Sequence, residues 1–489
     1  MTSSYRISNA ETEVLIVGAG GAGLAAAVAA REKGANSVIA LEKRGAPGGN
    51  TAMARGFFAA ESKPQKQMKI DAPRAVLFKM QMDFTHWRTN PRLVRACIDK
   101  SADTVQWLEN KGVIVTDIPR FYPNQLIPTW HLAGTDVPSG RVVVEALLAN
   151  CEGLGVGLFH RTQVKKILTG KEGEVTGALT ATTGGKEFSI RAKSVIISTG
   201  GYAGNKDLLK KYCPHYTNSM HLYGLPHQGE GLLMAMEIGA ATEGLGILMA
   251  QAPFLERNMR SSPLLNCIIG EPNTLWVNKK GIRFVDESIV LRRHISSNPV
   301  TRQPGGIFYT LFDDKIVQRA DKEGAMRGSY GRVIPSIKFT GLRKELLLKV
   351  GDKNIFKSDS WSKIAEWIGI APDVLKTTVD EYNSCCDRRC DDIFAKESRY
   401  LQALRTPPYC AVKCYPGYVT TLGGIKINQH MEVLDRQDEP IPGLYAAGDA
   451  AGGWEYDSYN TALTGFGFGF AINSGRIAGE NAAEYALRK

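Results

Sequence analysis

Three apolar runs in this 489-residue chain end at glycine. VLIV (14–17) meets Gly18, SVIIST (194–199) meets Gly200, and GLYAA (443–447) meets Gly448. Apolar runs without polar alternation predict strands covered on both faces. After the first run comes LAAAVAAREKG, helical in composition and stopped at Gly34. A further apolar run, SVIALE (37–42), then predicts a second buried strand. SWSKIAEWIGIAPDVLK (360–376) and TVDEYNSCCDRRCDD (378–392) predict amphipathic helices, and NPVTRQPGG (298–306) a loop. No apolar run reaches the roughly 18 residues that a membrane span needs.

The turn after the first strand carries the clearest chemistry. Gly18, Gly20 and Gly23 form G-x-G-x-x-G, with Gly21 between them. The first glycine allows a tight turn, the second lets backbone approach a phosphate, and the third lets helix and strand pack closely. Glu42 ends the next strand, placed to accept hydrogen bonds from an adenosine ribose, with Lys43 beside it. The pattern predicts a dinucleotide. Gly48, Gly49, Asn50 and Thr51 form a second backbone-exposing loop, which suits FAD better than NAD because FAD extends beyond the pyrophosphate. Thr199, Gly200 and Gly201 bring another chain crossing to the same cofactor, and Val164 is a further contact. Near the C-terminus, Asp449 after Gly448 can bond a ribityl hydroxyl, and the backbone near Ala462 and Leu463 can reach a flavin edge.

Composition narrows the picture further. Sixty basic and 49 acidic residues give a net charge of +11, but they are scattered, so the charge predicts anionic ligands or simple solubility rather than nucleic acid. Nine cysteines without an export signal predict reduced thiols. Cys385, Cys386, Cys390, Cys410 and Cys414 cluster in sequence without ligand spacing, so no metal is expected. The polar N-terminus running straight into a strand predicts a cytoplasmic protein.

VGAGGAGLAAA, EKRGAPGGNT, STGGYAGN, GEGLLMAMEIGA, GIRFVDES, TTLGGIKIN, GLYAAGDAAGG and FAINSGRIAG occur in that order. The order resembles the fumarate reductase/succinate dehydrogenase flavoprotein family, the FAD-dependent oxidoreductase 2 family. It is nearest the branch of tricarballylate dehydrogenase, urocanate reductase and the 3-ketosteroid dehydrogenases. The resemblance covers nearly the whole chain. It implies an α/β fold: a Rossmann-type FAD-binding domain from residues 1–250 and 417–489, with an inserted α+β capping domain from 251–416. It implies hydride transfer between flavin N5 and a carbon near an activating carbonyl, with a side chain moving the proton.

Fumarate-reducing members use an Arg after the RF-V-x-E segment as proton donor. Here the segment reads GIRFVDESIVLRRH, which offers Arg292, with Arg293 adjacent and the register open. An Arg could equally bind a substrate carboxylate or serve structure. Three groups of the dicarboxylate reducers are missing. Ala252 stands before Pro253 where they have His, Thr420 replaces another His, and SYNTALTGFG holds no Arg. Aromatic and hydroxylic residues take their place: Tyr415, Tyr418, Thr420, Thr421, Tyr456, Ser458 and Tyr459. Tyr459 is the preferred catalytic candidate beside Arg292; its other reading is a packed aromatic. Tyr418, Thr420, Thr421, Tyr456 and Arg293 are candidates for substrate binding. His131 and His227 are further candidates, His227 for the flavin or the cap, while Trp454, Phe466, Phe468 and Phe470 read as core.

These residues predict an enzyme that adds or removes two hydrogens alpha,beta to a carbonyl on a mostly apolar cyclic substrate. The alternatives are a tricarballylate-type small-carboxylate dehydrogenase and an electron-transfer subunit of a complex. No second flanked GxGxxG appears, so the electron partner is expected to be external: a flavoprotein, quinone or ferredoxin. GAPGGNTAMA contains no His to attach the flavin, so FAD is expected to be non-covalent.

Overall fold

The computed structural model describes residues 10–121, 125–134, 137–256, 262–326, 339–349 and 351–489. Glu11–Val17 (β1) turns into Gly21–Glu32 (α1) and returns as Val38–Leu41 (β2), parallel to β1. After Pro91–Glu109 (α2) and Ser139–Gly153 (α3) come Gly157–Phe159 (β3) and the hairpin Thr162–Thr169 (β4) with Val175–Thr182 (β5). Glu187–Ile197 (β6) then lies parallel to β1. His221–Leu222 (β7), Glu230–Glu237 (α4) and Leu248–Phe254 (β8) lead into a second region. Its strands are Leu275–Asn278 (β9), Phe308–Phe312 (β10) and Ile355–Ser358 (β11), followed by Pro372–Arg388 (α5). The long strand Tyr409–Thr421 (β12) leads back to Glu432–Leu434 (β13), Pro440–Ala446 (β14) and the final helix Phe466–Arg488 (α6).

The first sheet runs β13-β14-β6-β1-β2-β3, and β5 joins the β4 hairpin to β6. The strands at its centre are parallel, and their apolar runs, 14–17, 195–197 and 444–446, are buried as the unalternating pattern requires. The second sheet is built on β12. Residues 410–414 pair with β10, and 415–421 pair with β8. Buried apolar side chains fall into two clusters. One takes residues 14–250 and 418–486, the other residues 252–414. This is a mixed fold with a nucleotide-binding sheet assembled from both ends of the chain.

Glycine permits the closest approaches. A Cβ on Gly23 would lie 1.9 Å from the Gly18 carbonyl oxygen. Cβ atoms on Gly475 and Gly479 would lie 2.2 and 2.3 Å from the carbonyls of Ala22 and Ala26, so α6 can press directly on α1.

In the second region, Glu287 is fully buried and accepts Arg283 Nε (2.9 Å) and Lys396 Nζ (2.9 Å). Arg283 also reaches Asp391 (2.8 Å). Burial alone would raise the Glu287 pKa; Lys396 and Arg283 overcome it and hold the carboxyl below its ordinary value. Replacing Glu287 with Leu leaves two buried cations with one carboxylate. It should cost about 3–5 kcal/mol, read as a fall in unfolding temperature. A depressed carboxyl pKa stabilises the fold above the group's ordinary range, and that stability is lost as pH falls through it. The difference between the parent and E287L should therefore shrink on acidification.

Candidate functional site

A cavity of about 430 Å³ opens between the β1–α1 turn and the start of α6. Gly18, Gly20, Gly21, Glu42, Lys43, Gly49, Asn50, Thr51, Val164, Thr199, Gly200, Gly448 and Asp449 all line it. Residues scattered from one end of the chain to the other thus share one wall. Gly18 has φ +103°, and a Cβ there would sit 2.6 Å from the Ser198 carbonyl oxygen. Gly20 begins α1 with no side-chain cap, so the first-turn amides are left for a ligand. Glu42 accepts the Ala19 (3.1 Å) and Arg44 (2.8 Å) amides.

Gly23, Gly48 and Gly201 stand behind this wall. Gly48 donates its amide to Ala19 (2.8 Å), and a Cβ on Gly201 would meet Thr421 Oγ1 at 2.0 Å. The cavity also shows unmet polar capacity: Asn50 Nδ2 is buried without a hydrogen-bond partner. An uncapped helix N-terminus, a glycine cradle and an orphaned amide fit FAD.

At the far end, Thr420 Oγ1 donates to Asp449 Oδ2 (2.8 Å). Burial pushes the Asp449 pKa up to about 6, against the pull of that hydrogen bond. The wall here is Tyr223, Met249, Val419, Gly467, Phe468 and Ala471. Ala462 and Leu463 do not line the cavity. They lie in a short 3-10 turn before α6, with Leu463 fully buried. The turn ends at Gly465 (φ +86°), and the backbone reaches the cavity at Gly467 and Phe468, in the first turn of α6.

Tyr459 lies beside this end without lining it. Its hydroxyl accepts the Gly467 amide (2.8 Å). A Cβ on Gly467 would find Met249 Cε at 3.2 Å and Tyr459 Cε2 at 3.5 Å. The ring of His294 meets Tyr459 edge-on at 4.8 Å between centroids. His294 is neutral at physiological pH, because burial and then the Arg293 charge push its pKa down to about 3, against a hydrogen bond to Ala250.

The Arg292–Arg293–His294 run is divided by two successive 3-10 turns. Arg292 is exposed, Arg293 Nε donates to Gln251, and His294 faces Tyr459. The structure therefore turns Arg293, not Arg292, inward toward β8.

Four other candidates lie elsewhere. Tyr418 donates to the Ala203 carbonyl (3.1 Å), and Thr421 accepts the Tyr202 amide (3.0 Å), both inside the first core. Tyr456 turns outward to Arg88, because Asp457 (φ +61°) reverses the chain there. His131 is buried, bonded to Ser62 (2.7 Å) and Thr129 (3.0 Å). Glu455 is buried, bonded to the Asn460 amide (3.3 Å) and to the Gln81 side chain, and burial pushes its pKa up to about 8 against both. Tyr223, Met249 and His294 carried no sequence signal, since isolated aromatic, Met and His residues mostly pack.

The described cysteines are free, and among the described residues no cluster of His, Cys, Asp or Glu could hold a metal ion. No described helix is long and apolar enough to cross a membrane.

Residues 13–462 match the FAD binding domain family. The chain is 30% identical over 483 residues to a vinyl phenol reductase of Lactiplantibacillus plantarum, covering 97% of this chain and 96% of the relative. It is 31% identical to a probable fumarate reductase, Ifc3, of Shewanella frigidimarina, covering 98% of this chain and 76% of that one. Among solved structures, an open flavocytochrome c3 fumarate reductase superposes with a TM-score of 0.78 at 29% identity, over 98% of this chain and 79% of that one. A 3-ketosteroid Δ4-(5α)-dehydrogenase from Rhodococcus jostii shares the fold, with a TM-score of 0.76 at 22% identity over 99% of both chains. The chain belongs to the FAD binding domain family and is a FAD-dependent oxidoreductase.

An acid whose pKa is raised in the fold destabilises it above the unfolded value, fully so above the folded one. Asp449→Asn should therefore raise the unfolding temperature of the FAD-free protein at pH 8 and change it little at pH 4. The same variant should bind FAD more weakly, as titration of flavin fluorescence would show.

Proposed function

We propose that this FAD-dependent oxidoreductase of carbon–carbon double bonds acts on a C=C conjugated to a carbonyl or an aromatic ring in a largely apolar, cyclic substrate. The observation that carries the proposal is the Tyr459 hydroxyl bonded to the Gly467 amide in the first turn of α6, next to cavity-lining Met249. An amide at a helix N-terminus favours negative charge developing on the oxygen it bonds. When bound, FAD supplies the two-electron chemistry. Tyr459 Oη, held just behind the Gly467 and Met249 wall, is the group we assign to deliver a proton to the second carbon in reduction and to take it in desaturation.

The neighbours of Tyr459 support an uncharged substrate. His294 is neutral, and Tyr223 on the cavity wall is backed by Phe254, stacked on it at 3.7 Å between centroids. The full-length relative named for a vinyl phenol points the same way. A second reading, an unsaturated carboxylate, rests on Arg293 and on the relatives named for fumarate and urocanate. The electron partner in both readings is a separate carrier. FAD is held non-covalently, so acid precipitation should leave the flavin in the supernatant.

Reoxidation of the dithionite-reduced flavin under anaerobic conditions tests the reading. Cyclic enones and hydroxystyrenes should reoxidise it rapidly, and fumarate, aconitate, urocanate and acrylate should not. Tyr459→Phe should slow the reaction by about 10²–10⁴-fold while leaving flavin binding intact. Rapid reoxidation by a carboxylate, abolished by Arg293→Gln and not by Y459F, would replace this reading with the second.

A further inference from the structure

We propose that His227 is a ligand of the ADP half of FAD, donating Nε2–H to one of its oxygens. His227 lines the cavity but belongs to none of the glycine loops. Its backbone is fixed at both groups: the amide donates to Leu225 (2.9 Å), and the carbonyl accepts the Gly204 amide (2.7 Å). The ring lies against Gly200, where a Cβ would meet Nδ1 at 2.9 Å, Cε1 at 3.0 Å and Cγ at 3.1 Å. Gly200 also has φ +74°, so backbone and ring together require glycine there.

That packing fixes which edge of the imidazole is available. Nδ1 is buried on the glycine with no hydrogen-bond partner. The opposite edge, carrying Nε2, is left for the cavity. Burial first, then the Lys43 and Arg44 charges, push the His227 pKa down to about 4, against the nearby Glu230. The neutral ring carries one proton, and an acceptor can reach it only at Nε2.

The ring's place in the cavity selects the half of the cofactor. Gly200 follows Thr199, whose Cα would lie 3.1 Å from a Cβ on Gly18, so His227 sits across from the glycine-rich turn. Lys43, next to Glu42, pairs with Glu230 on the same wall. Met249, Gly467 and Phe468 mark the other end. The oxygen belongs to the adenosine-side phosphate or to its ribose, and FMN carries neither.

The test uses the holoenzyme. Serial dilution, with released FAD read by its fluorescence, gives the Kd for FAD. Dilution against excess ADP or FMN gives the affinity of each competitor. His227→Leu should weaken FAD and ADP by a similar factor, about tenfold for a lost hydrogen bond, and leave FMN unchanged. His227→Gln, which keeps a donor, should recover most of the loss. A ribose-only contact predicts that H227L weakens adenosine as much as ADP; a phosphate contact predicts no effect on adenosine. Unchanged FAD and ADP affinity in H227L would overturn the proposal. So would equal losses of ADP and FMN, or failure of H227Q to differ from H227L, because either would mark a packing role.

Discussion

The structure depends on backbone meeting backbone at the β1–α1 turn. Gly18 presses on Ser198, Gly23 presses on Gly18, and Gly475 and Gly479 bring α6 down onto Ala22 and Ala26. None of these contacts leaves room for a Cβ. A single methyl group would separate α1 from β1, or α6 from α1, and either shift would widen the cradle. Sheet order follows from the same constraint, since β14 must lie against β6 for its following turn, with Gly448 and Asp449, to reach the cavity.

One strand joins this cradle to the second region. β12 is long enough to pair with β10 in one half and with β8 in the other, so the two cores share a backbone element without sharing side chains. Val419 and Thr420 lie on the half facing the cavity. Tyr223 ties across the same junction through its hydroxyl bond to the Leu255 carbonyl (2.7 Å).

The nucleotide cradle was legible because it rests on backbone geometry, and glycine spacing reports backbone geometry directly. Buried parallel strands were legible because they need no alternation. The reacting end was harder to read. The run Arg292–Arg293–His294 passes through two short 3-10 turns, where no single period says which way each side chain faces. Tyr418 and Thr421 look like site residues in sequence because they flank Thr420, yet β12 is irregular against β8, and only Thr420 meets Asp449. FGFGF alternates like a strand and suggests an aromatic core. As a helix, it places Phe466 and Phe470 one turn apart and fully buried, while Phe468 turns to the cavity. The boundary set by Gly465 therefore decides which backbone reaches the cavity, and that is a left-handed residue no composition argument locates.

Charge at the reacting end follows a consistent logic. Asp449 and Glu455 are carboxyls that burial makes harder to ionise, and His294 is an imidazole that burial makes harder to protonate. All three move toward the neutral form, so the surroundings of Tyr459 resist net charge of either sign. Arg293 is the exception, and its guanidinium is already bonded to Gln251. A dicarboxylate would bring two negative charges to a site that offers one guanidinium, a neutral His294 and two carboxyls already pushed up by burial, with little to repay its lost hydration. A conjugated ring would give up little hydration, and Tyr223 on the cavity wall offers it an aromatic surface. The desolvation balance therefore supports the proposed apolar substrate beside Tyr459, whose hydroxyl the Gly467 amide bonds.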